Sequence, residues 1–152
     1  MTDLLLAMAH HLLVFSLAAI IAAEAVLVRP GMTNDQLRLI ANLDRWYGVL
    51  AVLILVVGFG RVYYGIRGPA FFLTNPWFHA KLAAFVIVGI LSAPPTIRFI
   101  AWRRRVAADE AATVTTDEIL RVRRFLIAEV IVFAFIPLFA AAMVRVPYLA
   151  PQ

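Results

Sequence analysis

The chain has 152 residues, of which 64% are hydrophobic and only 15% are charged, and its formal net charge is +5. Soluble globular domains are nearer half apolar and a quarter charged, so this composition predicts an integral membrane protein of one domain. With no cysteine in the chain, disulfides, thiolate metal sites and cysteine nucleophiles are excluded. The basic side chains lie beside hydrophobic segments, which favours contact with a lipid bilayer and argues against nucleic-acid binding.

Four long apolar segments predict four transmembrane helices, since one crossing needs about 20 residues. The predicted spans are about 4–28, 44–64, 76–101 and 117–146. The first span has no basic start and no clear cleavage site, so we expect it to be a spanning helix rather than a cleaved signal peptide. The fold class that follows is all-α, an integral membrane four-helix bundle.

Capping residues mark where several of these helices begin. They are Thr33 or Asn34 for the second helix, Asn75 followed by Pro76 for the third, and Thr115 with Glu118 for the fourth. Pro94 and Pro95 lie inside the third span and Pro137 lies inside the fourth. Because proline removes a helical hydrogen bond, we expect kinks or breaks at these positions.

The arginines predict the orientation of the bundle. An excess of Lys and Arg marks cytoplasmic loops, and the region between the third and fourth spans is the richest in arginine. This region carries Arg98, Arg103, Arg104, Arg105, Arg121, Arg123 and Arg124. The sequence therefore predicts both termini on the outer, periplasmic side of a bacterial inner membrane.

This orientation places several ionisable residues of three spans at one depth near the outer side. They are His10, His11, Arg61, His79 and Lys81. Ionisable groups inside a membrane are costly and are functional candidates by default. At ~3.6 residues per turn, His79 lies about 160° from Lys81, so both cannot face the bundle axis. We expect Lys81 to face inward.

Imidazoles from different helices at one level are what a non-covalent haem b requires. His10, His11 and His79 are the candidate metal ligands. Arg61, Arg67 and Lys81 are candidate partners for the haem propionates, because cations bind carboxylates strongly. The aromatic residues that could line a porphyrin are Phe15, Trp46, Tyr47, Trp77 and Phe85. Three alternatives remain: interfacial hydrogen bonding for the histidines, an aromatic belt for Trp77, Tyr63 and Tyr64, and a Lys81 ammonium that reaches outward to the headgroups.

A second polar set lies toward the other side of the membrane. It consists of Glu24, Asp44, Arg45, Arg98 and, deeper in the fourth span, Glu129. Ion pairs that hold the helices together are the simplest interpretation of buried carboxylates near arginines. A proton path is the other interpretation, and the sequence does not separate the two.

The sequence also resembles two protein families. Residues 75–82, Asn-Pro-Trp-Phe-His-Ala-Lys-Leu, resemble the Trp-Leu-His-x-Lys-Leu motif of the four-helix bacterial protoporphyrinogen IX oxidases, and Ala9-His10-His11 is similar to their early histidine. That resemblance implies a haem-b protein with His10 or His11 as axial ligand, His79 as a second candidate and Lys81 as the essential, catalytic cation. The copper-resistance D-like membrane domains are similar in topology.

The second resemblance covers nearly the whole chain. It is to a sister group of predicted bacterial four-helix membrane proteins of unknown function. The pattern is Asp44-x-x-Tyr47-Gly48, Gly58-x-x-Arg61, Arg67-Gly68, Asn75-Pro76, Pro95-Thr96 and Trp102-Arg103. Glu24 and the Pro94-Pro95-Thr96 stretch depart from the oxidase pattern.

The leading functional hypothesis is therefore a haem-b redox protein. It would transfer electrons, or oxidise a small reductant such as a porphyrinogen, with a quinone or another redox partner in the membrane. The alternative is a small transporter or accessory subunit that uses Glu24, Glu129 and the arginines. Direct copper binding through His10, His11 and Met8 is a third hypothesis. Small residues such as Gly89 and Ala142 leave room for a homodimer.

Overall fold

The computed structural model describes residues 1–109 and 113–145, and these residues are all-helical apart from short connections. The helices are α1 (Thr2–Leu27), α2 (Asn34–Tyr64), α3 (Gly68–Leu73), α4 (Pro76–Ala108) and α5 (Thr116–Arg145). All but α3 are long and apolar enough to cross a membrane. At ~1.5 Å per residue even α1 exceeds the roughly 30 Å hydrocarbon core of a bilayer. The prediction of an all-α protein with four membrane-spanning helices is confirmed; the predicted end of the fourth span, Val146, lies outside the described residues.

The predicted caps form at the starts of three long helices. Thr33 and Gln36 make reciprocal side chain to backbone hydrogen bonds at the start of α2. Asn75 Oδ1 accepts a 2.9 Å hydrogen bond from the backbone N–H of Trp77. Thr115 and Glu118 form the expected capping box before α5. These bonds satisfy N–H groups that the first turn of a helix leaves free.

Two local expectations from the sequence differ from the structure. The Gly- and Pro-containing sequence of residues 65–69 predicts a loop, but the chain enters the short helix α3 at Gly68, with Pro69 in its first turn. Gly68 has φ +69°, which glycine adopts without a steric penalty. The second difference concerns proline: α4 continues through Pro94 and Pro95, and α5 continues through Pro137, so neither helix breaks there. Transmembrane helices tolerate proline because neighbouring groups satisfy the freed backbone.

The four long helices pack as two pairs. Helix α1 packs mainly on α2 and α4 packs mainly on α5, while α2–α4 and α1–α5 contacts are smaller. We call the boundary between the two pairs the seam. The bundle has an arginine end, where α1 and α4 finish, and a histidine end, where α1 and α4 begin. The core at the arginine end centres on Trp102 and Phe99, which are almost fully buried.

Polar contacts link neighbouring helices at both ends, between the pairs at the arginine end and within the α4–α5 pair at the histidine end. At the arginine end, Arg123 of α5 donates hydrogen bonds to the carbonyls of Val28 (2.9 Å) and Ala25 (3.4 Å) at the end of α1. At the histidine end, Asn75 Nδ2 donates to the Met143 carbonyl of α5 at 3.2 Å. The outer surface is apolar, with exposed side chains such as Phe15 and Val26. The bundle therefore presents to the lipid bilayer the surface that a membrane-spanning protein requires.

Candidate functional site

A cavity lies in the seam at the histidine end, between residues of α1, α2, α4 and α5. We call it the histidine-end cavity. Its apolar part has a volume of about 70 Å³ and its charged part, toward α3, about 180 Å³. Five residues line both parts: His10, Gly58, Val62, Phe78 and Lys81. The cavity thus joins an apolar wall to a group of basic side chains.

His10 enters the cavity from α1 because α2 carries a glycine opposite it. A Cβ atom built on Gly58 would lie 3.3 Å from Cε1 and 3.7 Å from Nδ1 of the imidazole. Any larger side chain would therefore compete with His10 for this space. The Nδ1 atom of His10 is buried and has no hydrogen-bond partner in the described structure. An imidazole that lines a cavity and has a nitrogen without a hydrogen-bond partner is a candidate to bind a ligand or a metal.

Three basic side chains surround the charged part of the cavity. Lys81 Nζ lies 5.4 Å from the centre of the Phe78 ring, and the Arg67 guanidinium lies 4.5 Å from the centre of the Phe71 ring. Arg61 also lines this part, and its Nε is buried without a partner. No carboxylate of the described residues lines either part of the cavity. These positive charges therefore create a place for an anionic group.

The other candidate residues point elsewhere. His79 is exposed, and its Nε2 donates a 2.8 Å hydrogen bond to the Leu73 carbonyl, as expected if Lys81 faces inward. His11 is exposed and its Nδ1 bonds to the Ala7 carbonyl at 2.6 Å, while its ring meets that of His10 edge-on at 6.3 Å. Trp77 packs against Phe139, with ring centres 6.1 Å apart. The structure therefore brings together His10, Arg61, Arg67 and Lys81, but not His11, His79 or Trp77.

Among the aromatic residues considered for a porphyrin, Phe85 lines the cavity, whereas Phe15 and Trp46 are exposed on the outer surface. Phe78 and Phe59 line the cavity and were not singled out from the sequence. Phe78 lies three residues before Lys81, a spacing that shares one helix face, so helical phase could have identified it.

The second polar set forms a buried group in the middle of the bundle, toward the arginine end. We call Glu24, Asp44 and Glu129 the carboxyl cluster; they come from α1, α2 and α5. Ion pairs with arginine were the simplest expectation, but hydroxyl groups take that place. Thr96 Oγ1 donates a 2.6 Å hydrogen bond to Asp44, and the Tyr47 side chain hydrogen-bonds with Glu129. Hydroxyls reach these buried positions, whereas the side chains of Arg45 and Arg98 are exposed.

The candidate metal ligands of the bundle are its His, Asp and Glu side chains. Within residues 1–109 and 113–145, no three His, Asp or Glu side chains converge to hold a metal ion. A haem makes a smaller demand, because the porphyrin supplies four ligands and the protein supplies one or two axial ones. His10 is the imidazole that the structure places in the cavity.

The comparisons with known proteins address the whole chain. No curated protein and no solved structure matches it. A family model described as "Predicted membrane protein (DUF2214)" matches residues 2–146, which is nearly the entire length. That description agrees with the four membrane-crossing helices and assigns no activity. The chain belongs to this family of predicted membrane proteins, DUF2214.

Proposed function

We propose that the protein binds haem b non-covalently in the histidine-end cavity and acts in membrane redox chemistry. The observation that carries this proposal is the convergence of His10, Lys81 and Arg61 on one cavity with apolar walls. These residues are contributed by three different helices. The cavity offers an imidazole, basic groups and aromatic side chains in the combination that haem b uses.

The chemistry of the donor set fits haem. The Nδ1 atom of His10 is buried and makes no hydrogen bond in the described structure that binding would have to replace. The propionates need cations, and Arg61, Arg67 and Lys81 stand in the charged part of the cavity without a lining carboxylate. Phe78 and Phe85 offer apolar surface beside them. His10 would hold the iron, and the basic residues would hold the propionates.

The size of the cavity adds a requirement. Small-molecule pockets usually measure roughly 300 to 1,000 Å³, and both parts of this cavity are smaller. The cavity lies in the seam, where the contact between α2 and α4 is limited. Two of its lining residues on α2, Leu55 and Phe59, are partly exposed to the lipid. We therefore expect the two helix pairs to separate at the histidine end when the macrocycle enters.

When bound, haem would supply a one-electron redox centre. The protein residues would position the haem, exclude water and bind anionic groups. His10 fixes the depth of the ligand in the membrane, and the aromatic walls exclude water from it. Lys81, which lines both parts of the cavity, offers its charge to a carboxylate in either part, whether of the haem or of a small reductant beside it. This is the basis for proposing an oxidoreductase that acts on a small reductant such as a porphyrinogen.

The distribution of the arginines indicates on which side of the membrane the site lies. We propose that the arginine end lies in the cytoplasm, so that the cavity and both termini are on the outer side of a bacterial inner membrane. A membrane quinone is the proposed redox partner, because it diffuses in the same apolar layer as the seam. The resemblance of residues 75–82 to the protoporphyrinogen IX oxidase motif points to the same class of reaction.

A haem titration tests the proposal. Haem added to the purified protein in mild detergent should give a saturable shift of the Soret band. His10→Ala should abolish the shift, whereas His11→Ala and His79→Ala should retain it, because those two imidazoles lie outside the cavity. Lys81→Met should weaken binding about 10-fold or more, since a charge-assisted hydrogen bond contributes about 1.5–3 kcal/mol. No saturable shift in the natural protein, or an equal loss in all three histidine variants, would refute the proposal.

A further inference from the structure

The carboxyl cluster has no part in the proposed haem binding, yet its side chains are deeply buried in the bundle. Glu129 is 1% exposed, Glu24 is 2% exposed and Asp44 is 8% exposed. The two glutamates each have an oxygen, Oε1, that is buried and has no hydrogen-bond partner in the described structure. An unsatisfied buried polar atom is rare in proteins and calls for an explanation.

The polar neighbours of the two glutamates among the described residues are hydroxyls or other carboxyls, whereas the arginines of the arginine end lie beside Asp44. The charges that act on Glu24 come from Asp44 and Glu129. Helix α2 also contributes Tyr47, whose side chain bonds with Glu129 and with Ser92 of α4. The nearby cation of α5, Arg123, is directed to backbone carbonyls at the end of α1. No arginine therefore forms a hydrogen bond with a glutamate of the cluster in the described residues.

An ionised carboxylate in such surroundings is very costly, and a buried acid without a cation usually binds a proton instead. The proton also turns one oxygen into a donor that a neighbouring carboxyl can accept. A metal ion is a poorer explanation, because the described side chains offer no three-residue metal group. We propose that Glu24 and Glu129 form a proton-binding site whose protons exchange with water at the arginine end.

The route for exchange is a cavity of about 490 Å³ at the arginine end, lined by polar and basic residues. Asp44 and Thr96 line it, together with Arg45, Arg103 and Arg104. Asp44 thus lines this cavity on one side and acts electrostatically on Glu24 on the other. A hydronium ion in the cavity gives its proton to the Asp44 carboxylate and becomes water. Asp44 passes the proton to the Glu24 carboxylate and regains its own charge, and Glu24 becomes a neutral acid, so the transfer needs no co-reactant.

The route ends inside the bundle. Between the carboxyl cluster and the histidine-end cavity lies an apolar layer that includes Leu17, Ile21, Ile54 and Phe133. Protons should therefore reach the cluster from the arginine end only, which makes it a one-sided proton store rather than a channel. This proposal does not depend on haem binding.

Infrared spectroscopy of the full chain in lipid nanodiscs tests the site. The natural protein at neutral pH should show the C=O stretch of protonated carboxyl groups, and the band should shift when the solvent is exchanged for D₂O. Glu24→Gln and Glu129→Gln should each remove part of the band. Glu118→Gln is the matched control and should leave it unchanged, because that carboxylate is ion-paired with Arg105 at 3.2 Å.

The exchange rate tests the route. Asp44→Asn should slow the deuterium shift of the band by roughly tenfold or more, because it removes the proton acceptor at the cavity wall. Absence of a protonated carboxyl band in the natural protein would overturn the proposal without any variant. A band that sodium or calcium removes at constant pH would also overturn it, in favour of a cation site. An unchanged exchange rate in Asp44→Asn would overturn the proposed route.

Discussion

The glycine opposite His10 allows a quantitative test of the packing at the candidate site. Alanine is usually favoured over glycine by about 0.5–1 kcal/mol inside a helix. At Gly58 the added Cβ would stand 3.3 Å from Cε1 of His10, closer than the about 3.5–4.0 Å of an optimal carbon contact. The imidazole would have to move by a few tenths of an ångström. Leaving its preferred rotamer costs about 0.5–1.5 kcal/mol, which cancels or exceeds the gain.

Gly48 is the matched control, because it lies on the same helix and its added Cβ would have no neighbour within 4 Å. We expect Gly48→Ala to raise the free energy of unfolding by about 0.5–1 kcal/mol. Gly58→Ala should be neutral or destabilising and should also weaken haem binding. Both variants can be compared by far-UV circular dichroism during unfolding in mixed micelles. Equal stabilisation by the two substitutions would refute the close packing of α2 on His10.

Three further predictions concern polar contacts and use the same unfolding assay. Thr96→Val should lower the free energy of unfolding by about 1–3 kcal/mol, because it leaves the buried Asp44 carboxyl without its 2.6 Å hydrogen bond. An unchanged free energy would mean that this bond does not form. Asn75→Ala should lower the free energy of unfolding by about 2 kcal/mol and Thr33→Ala by about 1 kcal/mol. Both residues cap helices, but only Asn75 also donates a hydrogen bond to α5. A larger loss in Thr33→Ala would contradict this assignment. Arg123→Ala should lower the free energy of unfolding by about 1–3 kcal/mol, because Arg123 donates hydrogen bonds to two carbonyls at the end of α1. Substitution of its exposed neighbour, Arg124→Ala, should change it very little. Equal effects would show that the link between α5 and α1 does not stabilise the bundle.

The sequence was sufficient for the helices and most of their caps, because both depend on local patterns. Apolar runs of this length have few alternatives to a transmembrane helix, and Asn75-Pro76 is a local capping signal. The proline positions were harder. A break at Pro94 and Pro95 is the local expectation, but Pro95 is buried among neighbouring helices, which favour a continuous α4.

The site was only partly predictable. The depth and the helical phase of a residue follow from its position within one segment, whereas the pairing of helices depends on contacts between distant segments. Depth and phase were enough to place Lys81 with Arg61 and His10, and to turn His79 away. The seam depends on which helices pack as pairs, and the sequence does not state this. The hydroxyl partners of the carboxyl cluster depend on the same pairing, so Thr96 could not be assigned to Asp44 from the sequence.

The most direct test of the central claim is the reduced-minus-oxidised optical spectrum of the protein, purified in mild detergent after expression with added haem precursor. If the histidine-end cavity binds haem b, the natural protein will show the paired bands of a b-type haem. His79→Ala will keep these bands and His10→Ala will lose them. A natural protein without haem bands, or a His10→Ala variant with an unchanged spectrum, would contradict the assignment of this cavity.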